Sequence, residues 1–303
     1  MKNLFEYLQN IFEADNSWGE IFESVICEAW NSQGKSLGKY EEFVAKKGLN
    51  PQEVCQNIYK CIIEANILSP GDELSKLDNV PETTSEWYEL GMYTKKPNTT
   101  PKTDIISDNK GICKISVKEE SGSRLMSGAV NETIATIRAA VNNSGNKEVQ
   151  AFVDEIVNEL KDKKTRGRIV GTTKAILKKL SLRDNKEVAP EDESERVIWE
   201  IERSKERLAA LIEHLKKFPD VYHALLKEAI TGEVKFGKNN AACANYILTW
   251  NNKGECQIYT TDDYIDKFGK DYKIYATYKS SSVKLDGVKS NTRDSWMVMT
   301  LSN

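Results

Sequence analysis

The stretch from residue 103 to residue 118 constrains the fold more than any other part of this 303-residue chain. Two short runs of strand-forming residues, 103–106 and 112–118, flank Asp-Asn-Lys-Gly at residues 108–111, a sequence typical of a tight turn between antiparallel strands. Within the second run Ile115 and Val117 alternate with polar residues. The pattern therefore predicts a β-hairpin with one apolar and one polar face.

This hairpin would bring two reactive side chains together at one end. Asp104 stands at the start of the first strand and Lys118 at the end of the second. A carboxylate can bind a hard metal ion, and an ammonium group can contact a phosphate or a water molecule. Hydrolysis of a phosphodiester requires both, because the metal neutralises the phosphate and lowers the pKa of water while the lysine positions or deprotonates the nucleophile.

The composition excludes several other chemistries. The chain has two histidines, His214 and His223, and both fall in a helical pattern, so Ser-His-Asp, Cys-His and multi-histidine zinc sites are disfavoured. The six cysteines form no C-x-x-C pair and fit reduced core thiols. With 39% hydrophobic and 29% charged residues the chain is an ordinary globular protein, and its net charge of −3 requires any DNA-binding surface to be local.

The residues around the hairpin resemble a known superfamily. P-K-T-D at residues 101–104 followed by S-V-K at residues 116–118 is similar to the split signature of PD-(D/E)xK restriction-endonuclease-like nucleases, in the P-K-T-D…S-x-K variant of some restriction enzymes and uncharacterised bacteriophage proteins. G-S-R-L-M-S-G at residues 122–128 and the block 228–237 resemble further segments of that group, with Arg124 where glutamine is usual. The resemblance implies an α/β fold with a mixed central sheet flanked by helices, and helical insertions.

The chain departs from the family at one position. The second acidic residue of the signature would fall at Ser116, whose hydroxyl is a weak metal ligand. The superfamily often supplies a glutamate from its first helix, and Glu23 is the favoured replacement, ahead of Glu20. Glu119, with its neighbour Glu120, is the local alternative. The expected metal ligands are thus Asp104 with Glu23, Glu20 or Glu119.

A run of positive charge supplies a candidate DNA contact. Ten lysines and arginines lie within residues 161–186, against two aspartates. Such a run is often a solvated helix face, but beside a phosphodiesterase site it also suits the phosphate backbone. Ser123, expected in a loop, would donate a hydrogen bond to a phosphate. The expected DNA-binding residues are Lys102, Ser123, Arg124, Lys163, Lys164, Arg166 and Arg168.

The remaining sequence predicts a single nuclease-like domain over residues 1–303. Within it we expect a helical insertion at 35–80, the catalytic hairpin and a helix at 86–145, a helical region at 147–235 and strands at 240–303. An amphipathic helix at residues 3–31, with Ser17 as an N-cap inside it, would carry Glu23. Residues 87–93 are expected to form a strand.

The sequence thus predicts a metal-dependent endodeoxyribonuclease that uses Mg²⁺ or Mn²⁺, is encoded by a phage and acts in the host cytoplasm. No signal peptide is visible, and no run reaches the about 18 apolar residues of a membrane span. A binding or structural protein that kept the fold but lost metal affinity, such as a virion component, is the alternative that Ser116 favours. A restriction enzyme with a partner methyltransferase, and a homo-oligomer, also fit.

Overall fold

The computed structural model describes residues 18–69, 71–78, 81–107, 113–120, 124–161, 166–285 and 288–302. The chain divides into two compact units. The first runs to Glu82 and includes Thr99–Ser123 and Ile230–Phe268, and the second holds Thr83–Asn98, Arg124–Ala229 and the residues from Gly269 onward. The predicted turn at 108–111 and the predicted cap Ser17 lie outside the described residues.

A five-stranded mixed sheet forms the centre of the first unit, in the order β1-β2-β3-β6-β7. Its strands are β1 (Leu74–Lys76), β2 (Ile105–Ser107), β3 (Lys114–Glu119), β6 (Tyr246–Trp250) and β7 (Cys256–Thr260). Neighbouring strands are antiparallel except β3 and β6, which run parallel. A parallel pair needs a long crossover, and here the chain passes through the second unit between these two strands. The predicted pairing of the two hairpin strands is confirmed, with Ile105 opposite Ile115.

Helices cover both faces of this sheet. On one face lie α1 (Trp18–Asn31), α2 (Glu41–Lys46) and α3 (Pro51–Ala65), and on the other lies α11 (Thr261–Phe268). The apolar residues of α1 recur at helical spacing, and Phe22 among them is fully buried with its ring 4.4 Å from that of Trp250. Burial of one such side chain stabilises the fold by about 1.5–3 kcal/mol. The predicted α/β class, a mixed sheet flanked by helices, is confirmed.

Local signals define α3 at both ends. The side-chain oxygen of Asn50 accepts hydrogen bonds from the amides of Gln52 and Glu53, and Pro51 occupies the first turn, where no amide donor is needed. Asn66 ends the helix in the left-handed conformation, with φ 52°. Both ends could be recognised from the residue types alone.

The second unit combines a helical layer with a sheet of its own. The strand β9 (Val288–Ser302) pairs with β8 (Lys273–Leu285), β4 (Arg124–Ala129) and β5 (Arg166–Val170), always antiparallel. The helices wholly within this unit are α4 (Ser85–Leu90), α5 (Val130–Ser144), α6 (Lys147–Lys161), α7 (Thr173–Ser181) and α8 (Glu193–Leu215). The helix α9 (Pro219–Thr231) leads back to the first unit, which also holds α10 (Glu233–Phe236).

One prediction about an element was wrong. Residues 87–93, expected to form a strand, belong mostly to α4, because Thr84 caps the helix by accepting a hydrogen bond from the amide of Trp87. The aromatic residues of this segment favour a strand by propensity, but of these residues Trp87 is buried, Tyr88 is exposed and Tyr93 is half-buried. The segment expected as a helical insertion, 35–80, holds α2 and α3 and also β1, a strand of the central sheet, and its role as an insertion stays a prediction. The expectation of a single nuclease-like domain stays a prediction beside the two compact units.

Candidate functional site

Asp104 lies immediately before β2, and its backbone is held from both sides. Its amide donates to the carbonyl oxygen of Ile115 at 2.9 Å, and its carbonyl oxygen accepts from the amide of Leu77 at 3.1 Å. Ile115 belongs to β3, and Leu77 directly follows β1. Asp104 is therefore fixed between two other strands of the sheet, which leaves its backbone little freedom.

The carboxylate of Asp104 uses one oxygen for three neighbours on β3. Its Oδ2 accepts hydrogen bonds from the amide of Val117 at 2.7 Å and from the hydroxyl of Ser116 at 3.2 Å, and it lies 3.7 Å from Nζ of Lys118. No group among the described residues bonds Oδ1, and the side chain is 25% exposed. One oxygen is thus oriented, and the other is open to a ligand.

The structure brings Lys118 and Ser116 to the same carboxylate. The ammonium group of Lys118 also donates to the carbonyl oxygen of Val117 at 3.0 Å, and the side chain is only 17% exposed. Ser116 is buried, and its hydroxyl is a donor to Asp104. The serine therefore orients the carboxylate and does not itself supply a negative charge.

Glu23, on α1, forms an ion pair with Lys76, a residue that the sequence analysis did not single out. Nζ of Lys76 lies 2.8 Å from Oε2 of Glu23 and donates to the backbone carbonyl oxygen of Glu20 at 3.1 Å. Lys76 ends β1, and its register partner is Ile105, the residue after Asp104. A strand of three residues is too short to show an alternating pattern, so the sequence carries no signal for this lysine.

The charges of this group are coupled. Burial raises the pKa of Glu23 above its usual value; the hydrogen bond from Lys76 opposes this shift, and the charge of Asp104 adds to it. Burial lowers the pKa of Lys76, but the hydrogen bond and charge of Glu23 outweigh it, so the pKa of Lys76 lies above its ordinary value. Glu23 and Asp104 are therefore close enough for the charge of Asp104 to raise the pKa of Glu23.

The other two candidate glutamates are placed less favourably. The side chain of Glu20 is exposed, and its hydrogen bond to Lys76 uses only its backbone. Glu119 is exposed at the end of β3. Glu23 is the candidate that joins the electrostatic group around Asp104.

Two carboxylates of this group could hold a divalent ion together with water and substrate phosphate oxygens. Within the described ranges, no three His, Cys, Asp or Glu side chains converge as metal ligands. Mg²⁺ keeps several waters and is commonly held by one or two carboxylates together with substrate phosphate oxygens. Asp104 and Glu23 supply two such carboxylates, each with an oxygen that no described residue bonds.

A buried lysine fixes the loop that holds the backbone directly before Asp104. Nζ of Lys114 donates to the carbonyl oxygens of Lys238 and Asn240, at 2.9 and 3.1 Å, and so fixes that loop. The loop continues to Ala242, whose carbonyl oxygen accepts from the amides of Lys102 and its successor in sequence. Lys102 is half-buried in this connection, directly before the residues that lead to Asp104.

The other expected DNA contacts that the structure describes lie in the second unit. Arg166 and Arg168 are exposed on one face of β5, and Arg124 is exposed at the start of β4. This part of the basic run is a strand, not a helix, because its residues pair with β9. Ser123, Lys163 and Lys164 lie outside the described residues.

Comparison with known proteins gives one structural likeness. The sequence matches no known protein-family model and no curated protein. A solved structure of the restriction endonuclease MspI in complex with its cognate DNA is similar at a TM-score of 0.37 and 13% identity, over 93% of this chain and 88% of that chain. No helix among the described residues is long and apolar enough to cross a membrane.

Proposed function

We propose that this chain is a divalent-metal-dependent nuclease that hydrolyses phosphodiester bonds of DNA at Asp104 and Lys118. The observation that carries the proposal is the carboxylate of Asp104, which holds one oxygen toward Val117, Ser116 and Lys118 and leaves the other open. A carboxylate that only satisfied neighbouring backbone groups would not need a lysine 3.7 Å away and a second carboxylate, that of Glu23, in electrostatic range.

Each residue has a role that its geometry supports. Asp104 and Glu23 would hold a magnesium or manganese ion, which supplies charge neutralisation at the phosphate and a more acidic water. Lys118 presents an ammonium group 3.7 Å from Oδ2 of Asp104, where it could orient the attacking water and contact the phosphate. Ser116 keeps Asp104 in place through its hydroxyl.

The proposal is tested by incubating the purified protein with supercoiled, linear and single-stranded DNA. Parallel reactions contain Mg²⁺, Mn²⁺ or a chelator. We expect cleavage of at least one DNA form with either ion and none with the chelator. A folded protein that cleaves no form of DNA under any of these conditions would contradict the proposal.

The role of Glu23 gives a metal-dependent prediction. Glu23→Gln keeps the size of the side chain but removes its charge, so we expect the Mg²⁺ concentration for half-maximal cleavage to rise roughly 10- to 100-fold. The measurement is the cleavage rate as a function of Mg²⁺ concentration. Glu64→Gln is the matched control, because Glu64 pairs with Lys60 on the surface of α3 and should leave the curve unchanged. An unchanged curve for Glu23→Gln would remove Glu23 from the site.

The exposed face of β5 gives a prediction about salt. Each phosphate contact on duplex DNA contributes about −0.9 to the slope of log affinity against log salt. If Arg166 and Arg168 contact phosphates, changing both to alanine should weaken binding to any sequence and flatten the slope by about 1.8. The control is Arg203→Ala, since Arg203 is engaged with Glu187 at 2.7 Å. An unchanged slope in the double variant would assign these arginines to solvent.

A second candidate is a DNA-binding or virion protein that has lost most metal affinity. Ser116 in the acidic position favours it. This candidate predicts DNA binding without cleavage in the same assay. Origin from a phage, assembly into homo-oligomers and pairing with a methyltransferase are finer proposals that depend on the cleavage result.

A further inference from the structure

Two acid–base pairs contribute to the proposed cation site. Glu23 and Asp104 are the two acids, and Lys76 and Lys118 are the two bases, with nitrogen–oxygen distances of 2.8 and 3.7 Å within the pairs. The proposed function uses three of these residues. Lys76 is left without a role.

The two elements that carry Lys76 and Glu23, β1 and α1, are joined by hydrogen bonds of other residues. The side chain of Asn31, on α1, accepts from the amide of Leu74 and donates to its carbonyl oxygen, both at 2.9 Å. The indole of Trp30 donates to the carbonyl oxygen of Asp72 at 2.7 Å. These bonds fix β1 against α1 without any contribution from Lys76, so the lysine is not needed to join the two elements.

We propose that Lys76 is an internal counter-cation, which weakens the binding of a divalent ion to the free protein and makes that binding depend on a DNA phosphate. The inference rests on the proposed function, since it concerns the same site. A divalent ion that approaches Glu23 meets the positive charge of Lys76, whose side chain is 38% exposed and therefore only partly screened. A DNA phosphate near Lys76 would offset its positive charge and so favour a dication at Glu23. By linkage, DNA and the ion then strengthen the binding of each other by the same factor.

A purely structural role for Lys76 predicts the opposite change in cation affinity when the lysine is removed. If Lys76 only held Glu23 in position, its loss would free the carboxylate and weaken the binding of a cation. If it repels the cation, its loss should tighten binding. The direction of the change therefore separates the two roles.

The test is a Mn²⁺ titration of the full chain at constant pH, followed by the electron paramagnetic resonance signal of free Mn²⁺. We expect Lys76→Met to bind Mn²⁺ about tenfold more tightly than the unmodified protein, since removal of one nearby positive charge favours a dication. Lys76→Arg, which keeps the charge, should bind Mn²⁺ like the unmodified protein. Lys60→Met serves as the control, because Lys60 also pairs with a glutamate but lies on the exposed surface of α3.

A short duplex with phosphorothioate linkages, which resist hydrolysis, is then added. It should tighten Mn²⁺ binding more in the unmodified protein than in Lys76→Met. Unchanged or weaker Mn²⁺ binding in folded Lys76→Met would overturn the inference, even if the protein cleaves DNA. Tighter binding in a protein that cleaves no DNA would leave the inference standing and remove the nuclease proposal, so the two failures are distinguishable.

Discussion

Asparagine in place of Asp104 is expected to lower DNA cleavage by about a thousandfold or more, because a lost metal ligand removes several kcal/mol of transition-state stabilisation. The substitution preserves size, and the remaining oxygen can still accept from the amide of Val117, which now lies 2.7 Å from Oδ2. The backbone bonds of residue 104 to Ile115 and Leu77 do not involve the side chain. The fold should therefore survive.

The rate of plasmid cleavage under saturating Mg²⁺ measures this effect, and circular dichroism and thermal unfolding establish that the variant is folded. Ser116→Ala is the matched control, because it removes a neighbouring hydrogen bond without changing any charge. We expect it to lose at most about 10- to 150-fold in activity, as a hydrogen bond to a charged group contributes about 1.5–3 kcal/mol. Activity of folded Asp104→Asn near that of the unmodified protein would place the chemistry elsewhere.

Methionine in place of Lys118 is expected to lower the rate of cleavage by about 10²–10⁴-fold, the usual contribution of a positioned proton-transfer group. The side chain keeps its methylene stem but loses the ammonium group that lies 3.7 Å from Asp104. DNA affinity should change by less than about tenfold, since one phosphate contact contributes little to the total. The loss should therefore appear in the cleavage rate and not in binding.

Single-turnover cleavage and equilibrium binding, measured on the same preparation, separate these two effects. Lys46→Met is the control, because Lys46 pairs with Glu42 on the exposed surface of α2. Equal losses of binding and cleavage would identify Lys118 as a DNA contact only. An unchanged cleavage rate would remove it from the reaction.

The hairpin and its two end residues could be predicted from the sequence because the signals were local. The alternation around Ile115 and Val117 set the face of β3, and Asp104 and Lys118 followed from the pairing of two short strands. The helices after residue 130 were also predictable, since apolar residues recur at three- and four-residue spacing and Pro219 begins α9. In these segments the local pattern and the tertiary environment agree.

The rest depends on contacts that residue patterns do not encode. Lys76 reaches Glu23 only because β1 and α1 are brought together, 53 positions apart in sequence. The burial of Ser116 and its donation to Asp104 follow from the sheet, and the sequence alone suggested a weak ligand instead. The segment at residue 87 was misread because a helix cap at Thr84 overrode the strand propensity of aromatic residues.

The most direct measurement compares the unmodified protein with Asp104→Asn, purified in parallel, for the conversion of supercoiled plasmid to nicked and linear forms in Mg²⁺. We predict conversion by the unmodified protein, its loss on addition of a chelator, and a rate at least about a thousandfold lower for the variant. Equal conversion by both proteins would show that Asp104 is not the centre of the reaction. No conversion by the folded, unmodified protein would contradict a nuclease at this site.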